Sequence, residues 1–204
     1  MTPACMRTCA LLLALLTAGC ASIAPVTGDA GRTGSPTPSS QSVRSYADNI
    51  DLTGRISVRY QVNDKEEALH GGFTWTQNRD NTQVTLLSPL GQVISLIEVG
   101  RNGATLKQGG QPPRQATDVD ALVEATLGWP LPISGLRDWL QGFAIDANGN
   151  RFIAHPPAAE VTTRDGWQIG YNTWQDMHPK RIDLNRRTTQ AGDVSIRLVI
   201  DTWQ

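Results

Sequence analysis

Beyond Leu52, apolar residues recur at every second position in one segment after another, and this alternation limits the fold more than any other feature. Ile56, Val58 and Tyr60 alternate with Arg55, Ser57 and Arg59; Phe73 and Trp75 alternate with Gly72, Thr74 and Thr76. The closing segment Asp193 to Trp203 carries Val194, Ile196, Leu198 and Ile200 on the same period. A period of two puts these side chains on one face of a strand and polar groups on the other. Further candidate strands are Val84 to Leu87, Gln92 to Val99, Ala104 to Lys107, Gly166 to Trp174 and Lys180 to Arg186. Short polar connections such as Gln77-Asn78-Arg79-Asp80-Asn81 and Gly100-Arg101-Asn102-Gly103 suit hairpins. Regular short strands of this kind predict an antiparallel sheet closing toward a barrel. A helix is predicted over Asp118 to Leu127, with Val119, Leu122, Val123 and Leu127 at helical spacing. Thr117 or Asp118 would cap it, and Gly128 would end it. A second helix begins near Pro132, carries Ile133, Leu136, Trp139 and Leu140, and ends at Gly142. The expected class is therefore mainly β with helices (α+β), the helices packing on the open side or face of the sheet.

The N-terminus has a different character. Arg7 is followed by the apolar run Ala10 to Leu16 and then by Thr17-Ala18-Gly19-Cys20. A basic start, a short apolar stretch and a small-residue cleavage site form a secretory signal. The run is too short to span a bilayer of about 30 Å as a helix. Leu16-Thr17-Ala18-Gly19-Cys20 resembles a lipobox, which implies cleavage before Cys20 and acylation of that residue. With two or more acyl chains such an anchor is firm. Ala21, rather than Asp, after the lipidated position favours delivery to the outer membrane. Cys5 and Cys9 would leave with the signal, so the mature chain is expected to have neither a free thiol nor a disulfide. Residues 1–19 thus read as a signal peptide, and 20–45 as the lipidated terminus with a flexible linker, rich in Gly, Ser, Thr and Pro. Residues 46–204 read as one domain. Arg7 is the leader's one charge, so the mature chain has one fewer than the total of 18 Lys+Arg against 19 Asp+Glu. A net charge near −2 gives no reason to expect nucleic-acid binding.

Catalytic chemistry is hard to find. His70, His155 and His178 are scattered, and two of them precede prolines. No H-E-x-x-H, G-x-S-x-G or phosphate-binding loop is present, and the carboxylates show no paired motif. The chain is expected to be neither an enzyme nor a metal or cofactor protein. Six tryptophans stand out: Trp75, Trp129, Trp139, Trp167, Trp174 and Trp203. Each suits core packing; as a set they suit a wide apolar interior that takes lipid chains. Ser88-Pro89-Leu90-Gly91 reads as a turn, with Pro second and Gly fourth. Leu90 at its tip either meets a membrane or partner, or folds back to cap the core.

Taken in order, several segments resemble the LolB family of outer-membrane lipoprotein receptors. They are the lipobox ending at Cys20, Gly54-Arg55-Ile56-Ser57-Val58, Phe73-Thr74-Trp75 and Leu86-Leu87-Ser88-Pro89-Leu90-Gly91. Leu131 to Gly142 and Ile196 to Trp203 complete the set. The resemblance implies an unclosed antiparallel β-barrel with helices covering an apolar cavity. It implies a protein that accepts acylated lipoproteins from a LolA-like periplasmic carrier and inserts them into the outer membrane. On this reading Pro89, Leu90 and Gly91 form a membrane-insertion loop, with Leu90 promoting insertion. The acyl-cavity candidates are Ile56, Val58, Tyr60, Phe73, Trp75 and Trp139. The protein is expected to act as a lipid-anchored monomer facing the periplasm, without nucleotide. The alternative is a lipid-anchored structural or interaction module with a filled barrel core.

Overall fold

The computed structural model describes residues 44–63 and 65–204. The signal segment, Cys20 and nearly all of the 20–45 segment lie outside the described residues. The strands are β1 (Ile50–Val62), β2 (Lys65–Gln77), β3 (Thr82–Leu87), β4 (Val93–Gly100), β5 (Gly103–Gln108) and β6 (Arg114–Ala116). After helices α1 (Val119–Leu127) and α2 (Ile133–Trp139) come β7 (Phe143–Ile145), β8 (Arg151–Ile153) and β9 (Ala159–Thr162). The chain closes with β10 (Gln168–Gln175), β11 (His178–Thr188) and β12 (Gly192–Trp203). Ten strands form one sheet in the order β6-β5-β4-β3-β2-β1-β12-β11-β10-β9, and β7 pairs with β8. All ladders are antiparallel. The sheet does not close: β6 and β9 remain its two edges.

The alternation decides which face is inside. Ile50, Leu52, Ile56 and Val58 of β1 are buried, as are Phe73 and Trp75 of β2, and Val84 and Leu86 of β3. On the other side of β1, Ile196, Leu198 and Ile200 of β12 and Ile182 and Leu184 of β11 continue the same surface. Gly54 belongs to this face for a steric reason. A Cβ there would lie 2.6 Å from the Phe73 ring and collide with the Val199 carbonyl oxygen. The missing side chain lets the ring lie on the β1 backbone, beside the bulge between Thr53 and Gly54.

Both helices pack on this face. Asp118 caps α1, its carboxylate accepting the backbone N–H groups of Asp120 (2.9 Å) and Ala121 (3.1 Å). Gly128 follows with φ +82°, the left-handed geometry of a helix stop. Ile133, Leu136 and Trp139 of α2 and the adjoining Leu131 and Leu140 are buried against the sheet. Polar ties fix α2 at one end of the molecule. The Arg137 guanidinium donates to Thr82 Oγ1 (2.7 Å), to the Arg79 carbonyl (2.9 Å) and to the Asn78 carbonyl, clasping the β2–β3 turn. Tyr171 donates its hydroxyl to the Trp139 carbonyl at 3.1 Å. Between the helices, Asp120 accepts the Ser134 backbone N–H at 3.0 Å. Burial there raises the Asp120 pKa from its ordinary value, and the bonds from Ser134 only partly offset this.

Several elements differ from the sequence-based expectation. Strand β2 runs back to Lys65, because β1 pairs along it as far as Val62. Lys65-Glu66-Glu67-Ala68 shows no alternation, since both faces are exposed at that end. Strands β6 to β9 were not expected; each has three or four residues, too few for a period to show. Helix α2 stops at Trp139, and a turn carries the chain to Gly142 at φ +81°. Among the described residues no helix is long and apolar enough to cross a membrane.

The chain enters the domain at the end where α2 is tied. Arg44 donates to the Met177 carbonyl (2.6 Å), and its guanidinium lies 5.3 Å from the Phe143 ring and 5.4 Å from the Trp174 ring. Ala47 exchanges two hydrogen bonds with the Gln141 side chain, at 2.9 and 3.0 Å. The β3–β4 loop, Ser88 to Gln92, projects from the opposite end, a full strand length away.

Candidate functional site

Two features of that opposite end form the candidate site: an apolar mouth into the concave interior and the loop beside it. The interior itself is well filled. Ile56 (6 % exposed), Val58 (0 %), Phe73 (4 %), Trp75 (1 %) and Trp139 (6 %) are all buried on the concave side. Where α2 meets the sheet, Leu131, Ile133, Leu136 and Leu140 close against Phe73, Trp75, Val84 and Leu86. The seam left between them is about 10 Å³, too small for more than a single water, and its lining is apolar. Toward the loop end the packing opens. Tyr60, Leu69, Ile94, Leu127 and Trp129 surround an apolar pocket of about 230 Å³, floored by Ile56 and Leu86. Ile56 and Leu86 also line the seam, so the two spaces adjoin across the same apolar side chains of the sheet.

The six sequence-based cavity candidates therefore divide. Ile56 lines both openings; Tyr60 lines the mouth, its ring 6.3 Å from that of Trp129; Phe73 and Trp75 line the seam. Val58 and Trp139 line neither. Trp139 sits at the tied end of α2, edge-on to Trp167 at 6.4 Å. Leu69, Ile94, Leu127 and Trp129 were missed as mouth residues. Leu127 and Trp129 carried a weak signal, flanking the Gly128 helix stop; Leu69 carried one too, standing in period-two register with Phe73 and Trp75, though Gly71 interrupts the apolar run between them.

The loop is closed by its own hydrogen bonds. The Gly91 N–H donates to the Ser88 carbonyl (2.9 Å), and the Ser88 N–H donates to the Gln92 carbonyl (2.8 Å). Ser88 Oγ accepts the Gln92 N–H at 3.1 Å. Gly91 takes φ +80°, a conformation in which a side chain would be strained. Of the two placements open to Leu90, the structure shows the outward one: the side chain is 88 % exposed, with Val93 62 % exposed beside it. Burying a leucine is worth about 1.5–3 kcal/mol. A turn whose own hydrogen bonds hold one in water leaves that free energy available to whatever covers it. Among the described residues no group of three or more His, Cys, Asp or Glu could hold a metal ion.

An unclosed antiparallel barrel, with an apolar interior reached from one end and a leucine-tipped loop beside the opening, is the class this geometry defines. The chain belongs to the LolB family: the family model described as outer membrane lipoprotein LolB matches residues 48–203. The outer-membrane lipoprotein LolB of Cupriavidus taiwanensis is 36 % identical over 197 residues, covering 92 % of this chain and 91 % of the relative. That of Cupriavidus necator is 39 % identical over 153 residues, covering 73 % and 77 % respectively. That of Thiobacillus denitrificans is 35 % identical over 98 % of both chains. Among solved structures, a LolA superfamily protein from Nitrosomonas europaea aligns with a TM-score of 0.43 and 11 % identity, over 79 % of this chain and 88 % of that one.

Proposed function

We propose that this chain is the outer-membrane receptor that accepts lipoproteins from a LolA-type periplasmic carrier and inserts them into the outer membrane. On this reading it is anchored through lipid on Cys20 and acts as a monomer facing the periplasm. The observation that carries the reading is that the apolar mouth and the exposed Leu90 share one end of the domain. An acyl chain leaving the mouth between Ile94 and Leu69 emerges beside the residue placed to enter the bilayer. Family membership favours this role over a filled-core interaction module.

The packing suggests how cargo is held without being trapped. Ligand pockets for small molecules have volumes of roughly 300–1,000 Å³. At about 230 Å³, the mouth is below that range and too small for the several chains of a mature lipoprotein. Acyl chains must therefore displace α1 and α2 and take over the apolar sheet face those helices cover. Chain and helix compete for one surface, so the bound state is favoured only by the difference between the two burials. Helix return then helps to expel the cargo once a bilayer is within reach, and no nucleotide is needed.

Orientation depends on the tether. The domain is entered at Arg44, at the end away from Leu90. At about 3.3–3.6 Å per residue, the segment from Cys20 to Arg44 can reach roughly 80 Å. Strand β4, with eight residues at about 3.4 Å each, is roughly 27 Å long. The segment is long enough for the domain to turn its Leu90 end toward the membrane that holds Cys20.

A transfer assay tests the role. Carrier loaded with a labelled lipoprotein is mixed with liposomes, with and without this protein, and cargo floating with the vesicles is measured. Insertion that depends on this protein and not on added nucleotide is expected; cargo that remains on the carrier would refute the role.

A further inference from the structure

We propose that the convex face of the sheet, directly beneath Leu90, carries a docking site for the phosphate headgroup of a membrane phospholipid, separate from the concave interior. The site rests on the reading that the Leu90 end meets the membrane. A row of outward residues crosses five strands, with Val199, Arg55, Gly72, Leu87 and Val93 as successive partners. The next row toward the loop is Arg197, Ser57 and His70. Gly72 stands in the middle without a side chain, and a trough of about 530 Å³ runs over it. One wall is apolar, made by Leu87 and Pro89, and it leads up to exposed Leu90 and Val93. The other wall is cationic, made by Arg55 and Arg197, with His70 on the rim.

This split matches a glycerophospholipid lying against the face, with its phosphate at the arginines and its apolar part along Leu87 toward Leu90. Arginine presents a planar fork of donors suited to phosphate oxygens. Both arginines have carboxylate partners. Arg55 donates to Asp201 at 2.9 and 3.1 Å, and Arg197 donates to Asp183 at 2.7 Å. Asp183 also accepts from Arg181 at 2.7 Å, so two guanidinium groups share one carboxylate and the cluster keeps a net positive charge. Arg55 and Arg197 are more than half exposed, and such ion pairs contribute little. Exchanging a carboxylate for a lipid phosphate therefore costs little. A free phosphate would use the arginines but not the apolar wall; continuity of that wall with the Leu90 tip favours the lipid.

The test places an environment-sensitive fluorophore on a cysteine at His70 or at Leu90 of the full mature protein, anchored in vesicles. In phosphatidylethanolamine–phosphatidylglycerol vesicles both labels are expected to shift to the blue. In vesicles of uncharged galactolipid the Leu90 label shifts and the His70 label does not. The R55Q/R197Q double variant and Gly72→Leu, which fills the trough, should each lose most of the His70 shift and keep the Leu90 shift. A Cβ at Gly72 meets Leu87 at an ordinary 3.5 Å, so the second variant is compatible with the fold. An equal His70 shift in galactolipid, or one unchanged in both variants, would overturn the site. A full shift produced by inorganic phosphate, with galactolipid vesicles as the only membrane, would make it a free-anion site and also overturn the proposal. If the Leu90 label shifts in no vesicle, the membrane reading fails with it.

Discussion

Leu90→Glu is expected to leave cargo acceptance intact while weakening insertion about 10- to 150-fold, the equivalent of losing the roughly 1.5–3 kcal/mol that burying a leucine supplies. The carboxylate adds a desolvation cost of its own at the bilayer surface. Little is expected of this change within the folded domain. Leu90 is 88 % exposed, and the turn beneath it is held by Ser88 and Gly91 rather than by the leucine. Surface substitutions of this kind usually stay within about ±0.5 kcal/mol in stability. In the liposome assay, cargo should leave the carrier but stay bound to the vesicle-anchored variant, crosslinking to it instead of passing into the bilayer. Cargo that passes into the bilayer as it does with the unaltered protein would remove Leu90 from the insertion step.

Leu69→Trp is expected to give the opposite defect. Leu69 lines the mouth, where the larger indole of a tryptophan would narrow the opening of roughly 230 Å³. Strand β2 pairs with β3 only from Gly72 onward, so the stretch around Leu69 has a free flank and room to adjust. The fold should survive, and the Leu90 loop should still meet the bilayer. Cargo should now stay on the carrier, with uptake reduced about tenfold or more, a change of at least about 1.4 kcal/mol in the apparent affinity. The measurement is the fraction of labelled lipoprotein released from the carrier before vesicles are added. Unchanged uptake would mean that acyl chains enter by another route than the mouth.

The two substitutions show what the sequence made readable. The concave face was legible because burial on one side of a sheet imposes a strict period, as in Ile56 and Val58, or Ile196 and Leu198. The Asp118 cap and the Gly128 stop were legible because a helix end needs those chemistries. Leu90 was identified as the tip of a turn, but turn rules do not say whether the tip folds back. The mouth was hidden for a different reason. It is assembled from Tyr60 of β1, Leu69 of β2, Ile94 at the start of β4, Leu127 at the end of α1 and Trp129 beyond it, which share no local pattern. The Arg137 clasp on the β2–β3 turn was equally out of reach, since it joins residues more than fifty positions apart. The convex trough depends on Arg55, Gly72 and Leu87 becoming cross-strand neighbours, which only the register determines.

On the proposed mechanism, cargo acyl chains occupy the concave interior, entering beside the Leu90 loop. Ile94 and Val93 are adjacent in sequence and test it most directly: Ile94 lines the mouth, while Val93 lies 62 % exposed in the outward row with Leu87. A photocrosslinking side chain at each position, with cargo carrying radiolabelled acyl chains and no vesicles present, reads which face the chains meet. Labelled acyl chains are expected to attach at Ile94 and not at Val93. Crosslinks from Val93 alone, or from neither position while cargo is bound, would contradict it.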